Sequence, residues 1–124
     1  MSACPCGLPH SYEDCCDRYL SGNAPAPTAE ALMRSRYAAY TLALEPYLLA
    51  TWHPDTRPAA LGLDAKLRPK WLGLQVKRHQ QTDATHAEVE FVARYKIDGR
   101  AFRLHETSRF IREDGRWYYL DGTE

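Results

Sequence analysis

The sequence predicts an α+β fold, with a metal-binding knuckle first, helices next and an antiparallel sheet last. Three observations lead to this prediction. All four cysteines lie within the first sixteen residues, apolar residues recur at helical spacing from Ala29, and strand-like alternation with two Asp-Gly pairs follows residue 70. We therefore expect a knuckle over residues 1–20, a linker over 21–28 and an α+β domain over 29–124.

The cysteines, Cys4, Cys6, Cys15 and Cys16, indicate a closed metal site. Zinc is the expected ion because it prefers four soft ligands in a tetrahedron, although iron also binds four thiolates. Four protein ligands leave no open position for a catalytic water, so we expect a structural site. A pair of disulfides is the alternative, but disulfides need an oxidising compartment and the N-terminus does not resemble a signal peptide.

Length and charge limit the classes of function open to this chain. Its 124 residues suffice for one globular domain plus the knuckle. Sixteen basic and sixteen acidic residues give a net charge of zero, which argues against a protein that coats nucleic acid or an anionic membrane. No apolar run reaches membrane-spanning length and no phosphate-binding loop or nucleophile elbow is present. We expect a cytoplasmic protein.

The helical region runs from Ala29 to about Ala50. Thr28 is the expected N-cap, because a threonine hydroxyl can accept a hydrogen bond from a free amide of the first turn. Pro46 lies inside the region and predicts a break just before it. Shorter helices are predicted at Glu13–Leu20 and within residues 58–69.

The sheet is predicted from alternating segments and two turns. Asp98-Gly99 and Asp114-Gly115 favour two-residue hairpin turns, because glycine accepts a positive φ. These turns place Phe91 opposite Glu106 and Phe110 opposite Tyr119; without a bulge, Ser108 would face Asp121. The predicted strands are Trp71–His79, Thr85–Lys96, Ala101–Arg112 and Arg116–Leu120.

Glu106 is the first candidate for chemistry outside the cysteines. The predicted register puts it on the apolar face that meets the helices, near Ser108 and Asp121. A carboxylate there could act as a general acid or base. The alternative is a buried structural ion pair with Arg34 or Arg36 from the first long helix.

His53 and an exposed cationic cluster are weaker candidates. His53 could line a pocket mouth beside Tyr37, or cap a helix end by binding its last carbonyls. The cations around one hairpin end could contact nucleic acid or phosphate, or form a solvated face, which we consider the better interpretation. These cations are Arg94, Lys96, Arg100 and Arg103.

Two parts of the chain resemble known modules. Cys-Pro-Cys-Gly followed by Cys-Cys resembles the SEC-C motif, also found in the C-terminal tail of the SecA translocation motor, and Tyr12 matches its aromatic position. The rest resembles the bacterial YchJ-like family of uncharacterised proteins. The matching stretches are Leu32–Tyr37, Thr51–Pro54, Trp71–Leu74, Phe91–Arg94, Ser108–Phe110 and Gly115–Gly122.

The resemblance implies a nuclear-transport-factor-2-like (NTF2-like) cone, in which a curved antiparallel sheet wraps over helices. It also implies metal ligation by the four cysteines and no established activity. The motif's usual lysines are replaced here by Leu8-Pro9-His10-Ser11, so we do not expect ribosome or nucleic-acid binding.

The expected function is a non-enzymatic interaction or adaptor module with a protein partner. The alternative is a small-molecule enzyme or ligand-binding protein that uses the cone pocket, with Glu106 as acid or base and His53, Tyr37 and Asp121 as further candidates. An open pocket with a polar floor would favour the alternative. A cone filled by the three tryptophans, Trp52, Trp71 and Trp117, would exclude it.

Overall fold

A computed structural model of the protein describes residues 4–8, 10–22, 24–60 and 69–123. The helical elements are one 3-10 turn (Tyr12–Asp14), α1 (Asp17–Leu20), α2 (Ala29–Thr41) and α3 (Glu45–Ala50). The strands β1 (Lys70–Gln81), β2 (His86–Ile97), β3 (Arg100–Glu113) and β4 (Arg116–Thr123) form one antiparallel sheet in sequence order. The predicted α+β class is confirmed.

The boundaries of the two longer helices follow local chemistry. The Thr28 hydroxyl accepts a 3.0 Å hydrogen bond from the Ala31 amide and caps α2. Ala43 takes a φ of 57° between the helices, and Pro46 lies in the first turn of α3, where its missing N–H costs nothing. The predicted break is therefore confirmed.

Three other expectations on the helical part have different outcomes. The single helix predicted at Glu13–Leu20 is wrong, because the chain forms a 3-10 turn and a separate α1 with the cysteine pair between them. The helix predicted within 58–69 lies largely outside the described residues. Ala26 of the predicted linker is buried in the core, and the linker boundaries stay predictions. None of the described helices is long and apolar enough to cross a membrane.

We expect Thr28→Ala to lower the free energy of unfolding by about 1 kcal/mol, because the Ala31 amide loses its partner at the start of α2. Urea unfolding followed by circular dichroism measures this change. Thr28→Ser keeps the hydroxyl, so its loss of unfolding free energy should be only a fraction of the loss in Thr28→Ala. Equal stability of wild type and Thr28→Ala would contradict the capping role.

The predicted register of the central strands is confirmed. Phe91 lies opposite Glu106 and Phe110 opposite Tyr119. Both hairpin turns have the expected positive φ values, 51° and 81° at Asp98 and Gly99 in the first turn. Phe91, Glu106 and Phe110 thus share the inner face of the sheet, against which α2 packs.

The predicted pairing of Ser108 with Asp121 is wrong. A bulge leaves Leu120 as an extra residue, so that Asp121 lies opposite Arg109 and Ser108 lies opposite Gly122. The carbonyl of this extra residue accepts a 2.6 Å hydrogen bond from the Thr56 hydroxyl of a distant segment. Asp121 consequently lies on the outer face, in an ion pair with Arg109.

Candidate functional site

The four cysteines form a buried cluster that fits a tetrahedral metal. Their relative exposure is between 0 and 5%, and all four Sγ atoms lie within 4.8 Å of one another. The Sγ atoms of Cys6 and Cys15 are 3.6 Å apart, whereas a disulfide bond is about 2.05 Å long. A zinc ion with bonds of about 2.3 Å to sulfur sets ligand atoms about 3.8 Å apart. The donor set therefore fits zinc.

Backbone geometry around Cys6 supports thiolate ligation. Gly7 takes a φ of 92°, a conformation that favours glycine. This turn lets the Leu8 amide donate a hydrogen bond to the Cys6 sulfur. A Cβ atom at Gly7 would also lie 3.2 Å from the Leu74 carbonyl of β1, so the turn packs closely on the sheet. Such amide donors offset part of the negative charge of a thiolate site.

The thiols of Cys6, Cys15 and Cys16 have shifted pKa values, and the shifts differ in direction. A hydrogen bond from the Cys16 thiol, helped by the Leu8 amide and opposed by burial, lowers the pKa of Cys6 to about 5. Burial and its neighbours raise the pKa of Cys15 to about 12, and the hydrogen bond with Cys6 raises the pKa of Cys16. The Cys15 and Cys16 thiols thus keep their protons at neutral pH until a cation replaces them.

We expect zinc affinity to fall on acidification, because Cys15 and Cys16 must release protons to bind the ion. At least two protons leave per ion, so the apparent dissociation constant should rise by about a hundredfold or more for each pH unit lost between pH 8 and pH 6. Competition against a chromophoric chelator of known pH dependence measures this. An affinity that does not change with pH would contradict the assignment of these thiols as ligands.

The knuckle packs against α2 and is hydrogen-bonded to it. Arg34 donates a 2.9 Å hydrogen bond to the Cys6 carbonyl and forms a 2.9 Å ion pair with Glu30. Ala38, fully buried, packs against the cysteine cluster. The position of the cysteine cluster is therefore coupled to the helix that covers the sheet.

That same helix covers an open cavity of about 270 Å³ on the inner face of the sheet. Of the three tryptophans only Trp71 lines it, while Trp117 is buried in the neighbouring core. Half of the residues that line it are aromatic, and polar groups lie among them. Its lining comprises Met33, Arg36, Tyr37, Tyr40, Trp71, Phe91, Ala93, Leu104, Glu106, Ser108, Phe110 and Tyr119.

The Glu106 carboxylate is held in place by β3 and β4. The buried Ser108 hydroxyl donates a short hydrogen bond to Oε2. Gly122, opposite Ser108, leaves the space that this carboxylate fills, because a Cβ atom there would lie 2.2 Å from Oε2. Glycine inside a strand often marks such a close approach, and this signal could have identified Gly122 from the sequence.

Arg36 does not form the predicted ion pair with Glu106, and neither does Arg34. Nη1 of Arg36 donates to the Leu48 carbonyl at 2.8 Å and to the Thr51 hydroxyl at 2.7 Å. Within the described chain no carboxylate lies within 4.0 Å of this guanidinium. Only 5% of Arg36 is exposed, and burial lowers its pKa. The site thus contains a buried cation without an acidic partner in contact.

The tyrosines of the cavity present neutral hydroxyls. Burial raises the pKa of Tyr37, Tyr40 and Tyr119 above the ordinary value. The Tyr119 ring also lies under the Arg36 guanidinium, 4.6 Å from its central carbon, and the Tyr37 ring meets Trp71 edge to face at 5.6 Å. Tyr37 therefore lies on the pocket wall.

His53 lies outside this cavity. Its buried ring accepts a 3.1 Å hydrogen bond from the Asp55 amide at Nδ1, and Nε2 lies 3.0 Å from Oε1 of Glu113. The structure thus brings Glu106 and Tyr37 to the pocket and places His53 and Asp121 elsewhere. Sequence reasoning missed Arg36 as a pocket residue because it considered Arg36 only as a partner for Glu106.

Comparisons with known proteins agree with this architecture. The family described as "YchJ, middle NTF2-like domain" matches residues 28–122. A UPF0225 protein of Bordetella parapertussis is 59% identical over 123 residues, covering 98% of this chain and 92% of its own length. A UPF0225 protein of Chromobacterium violaceum is 62% identical over 125 residues, with the same coverage.

Two solved structures are also similar. The solution structure of a SEC-C motif containing protein from Rhodopseudomonas palustris has a TM-score of 0.86 and 34% identity, covering 97% of this chain and 96% of that one. The crystal structure of a SEC-C motif containing protein from Psychrobacter arcticus has a TM-score of 0.79 and 32% identity, covering 95% and 80% respectively. The NTF2-like match, the UPF0225 relatives and the cysteine cluster together show that this chain belongs to the YchJ-like (UPF0225) family.

Proposed function

We propose that the protein is a cytoplasmic zinc protein whose metal is structural and whose working surface is the cone pocket, where a small organic molecule binds. The closed set of four buried thiols supports the structural role, since no ligand position is left for substrate. Free thiols in close contact fit a reducing compartment. Metal analysis after purification without chelators tests the ion: we expect one zinc per chain, and iron or no metal would overturn this part.

The open cavity carries the second half of the proposal. A pocket lined by aromatic rings, with a few fixed polar groups, is the usual form of a small-molecule site. Here the fixed groups are Glu106 and Arg36, each held by hydrogen bonds to the surrounding chain. The adaptor hypothesis does not account for a cavity of this kind.

A pocket-filling variant tests ligand binding directly. Leu104 lines the cavity, and Leu104→Trp should fill part of it. Phe102, two residues earlier on the same face of β3 and 39% exposed, does not line it, so Phe102→Trp is the matched control. In a thermal-shift screen of small fragments, we expect wild type and Phe102→Trp to be stabilised by compounds that leave Leu104→Trp unchanged. Equal stabilisation of all three proteins, or of none, would contradict a pocket ligand.

A protein partner at the knuckle is the second candidate. Leu72 is 49% exposed at an irregularity of β1, the edge strand on which the Gly7 turn packs. An exposed apolar residue on the strand that the Gly7 turn contacts could complete a docking surface. Cross-linked pull-downs with the native chain and with the Cys15→Ser, Cys16→Ser double variant, each checked for a folded sheet, test this role. Recovery of the same proteins by both forms would exclude the knuckle as the docking element.

A further inference from the structure

We infer that the cone pocket binds a compact zwitterion, that is, a small organic molecule with a protonated amine, an acidic group and a flat apolar body. This inference rests on the proposed function, that the pocket binds a small molecule at all. It assigns the amine to Glu106, the acidic group to Arg36 and the apolar body to the aromatic walls.

The position of the ligand's amine is inferred from the Glu106 carboxylate. Oε2 of Glu106 accepts the Ser108 hydroxyl, while Oε1 has no hydrogen-bond partner among the described residues. The surrounding rings include Phe91 and Phe110. An ammonium group is attracted both by a carboxylate oxygen and by the faces of aromatic rings. A protonated amine is therefore the ligand group that would bind best to Glu106 at this end of the cavity.

The position of the ligand's acidic group is inferred from the buried Arg36 guanidinium. Arg36 uses Nη1 for Leu48 and Thr51, and the Trp52 and Tyr119 rings lie 5.1 and 4.6 Å from its central carbon. These contacts hold the cation in position without neutralising it. Because a buried charge is costly unless paired, a carboxylate or similar acid on the ligand would gain strongly from this site.

The two ends act on one ligand because they share one small cavity. The pKa of Tyr40, raised chiefly by burial, is also lowered by Arg36 and raised by Glu106, so this hydroxyl lies in the field of both groups. A ligand with a single charge would pair one group and leave the other, the buried Arg36 or the half-buried Glu106, without a partner. A zwitterion pairs both, and the net charge of the filled pocket stays zero.

The volume of the cavity limits the size of the ligand's apolar body. A volume of about 270 Å³ lies just below the roughly 300–1,000 Å³ typical of pockets for drug-sized ligands. Tyr37 and Tyr40 both contact the Trp71 ring, at 5.6 and 5.9 Å between centroids, and form a wall of rings. One aromatic ring or a chain of similar bulk is the largest body that this space favours.

Matched probes test the charge requirement. Phenylalanine is compared with phenethylamine and 3-phenylpropanoate, and 4-(aminomethyl)benzoate with 4-methylbenzylamine and 4-methylbenzoate, so that close and distant charge spacings are both covered. Titration followed by tryptophan fluorescence reports binding, since Trp71 lines the pocket. We expect at least one zwitterion to bind about tenfold or more tightly than both of its singly charged analogues. Equal or tighter binding of a singly charged analogue in both series would overturn the inference.

Two variants assign the charges. Glu106→Gln should reduce the affinity of the zwitterion to that of its acid analogue, and Arg36→Met should reduce it to that of its amine analogue. Glu90→Gln is the control, because Glu90 pairs with His105 on the outer face. If Arg36→Met does not fold, the Glu106→Gln arm decides alone, and an unchanged preference for the zwitterion would overturn the inference. If the fragment screen yields pocket ligands but no zwitterion binds, this inference fails and the proposed function stands; if nothing binds, both fail.

Discussion

Removal of the metal with a chelator is expected to melt the knuckle, residues 4–20, and to leave the sheet and α2 folded. The knuckle has little apolar content: α1 is four residues long, and the described part of the knuckle is buried mainly at its cysteines. Metal binding is worth on the order of 10 kcal/mol in comparable peptides, which makes it the main source of folding free energy for this segment. The sheet has its own core around Phe110 and Trp117.

Heteronuclear NMR distinguishes the two parts of the molecule. After chelation the amide signals of residues 4–20 should collapse to random-coil positions, while those of β2 and β3 should keep their dispersion. Re-addition of zinc should restore the first set, and Cys15→Ser, Cys16→Ser should reproduce the chelated state permanently. Loss of all secondary structure on chelation would show that the metal supports the whole fold, and an unchanged spectrum would show that it supports none of it.

The attachment of the knuckle to α2 predicts a smaller effect in the same experiment. Arg34 would lose its hydrogen bond to the Cys6 carbonyl, and the surface around Ala38 would become exposed. We therefore expect the melting temperature of the remaining domain to fall after chelation. Signals of α2 at Arg34 and Ala38 should shift without collapsing.

Gly122→Ala is expected to displace the Glu106 carboxylate and to lower the free energy of unfolding by about 1–3 kcal/mol. The new Cβ atom would lie 2.2 Å from Oε2, so the side chain must move and the hydrogen bond from the buried Ser108 hydroxyl is lost. Ligand binding in the pocket should weaken with it. Urea unfolding gives the stability and tryptophan fluorescence the binding.

A double-mutant cycle separates this effect from a general cost of alanine in β4. In a Glu106→Ala background no carboxylate is present to be displaced, so Gly122→Ala should cost close to nothing. Gly73→Ala on β1 is the matched control, because a Cβ atom there meets nothing within 4 Å. The same loss of stability in both backgrounds would contradict the proposed niche for the carboxylate.

Much of the fold could be predicted because its signals are local. Thr28 caps α2 and Pro46 begins the next helix for reasons contained in a few neighbouring residues. The Asp98-Gly99 turn sets the register of the central hairpin, and this register places Glu106 on the inner face. The cysteine cluster was equally predictable, since few arrangements place four thiols so close together in the sequence.

The candidate site was only half predictable, because it depends on contacts between distant segments. The bulge at Leu120, whose carbonyl accepts a hydrogen bond from Thr56 sixty-four residues away, turns Asp121 out of the pocket. The hydrogen-bond partners of Arg36 depended on the position of α3. The Leu48 carbonyl of α3 accepts a hydrogen bond from the Arg36 guanidinium that an acidic side chain could otherwise have accepted.

The cysteine cluster, the start of α2, the start of α3 and the hairpin turns are thus contained in the sequence of this protein, because each depends on the chemistry of residues that are near one another along the chain. The open cavity, the placement of Glu106 and Arg36 in it and the outward position of Asp121 were decided only when α2, α3 and β4 packed together. Packing determines which charges meet and how much space remains between them, and no local pattern encodes either quantity.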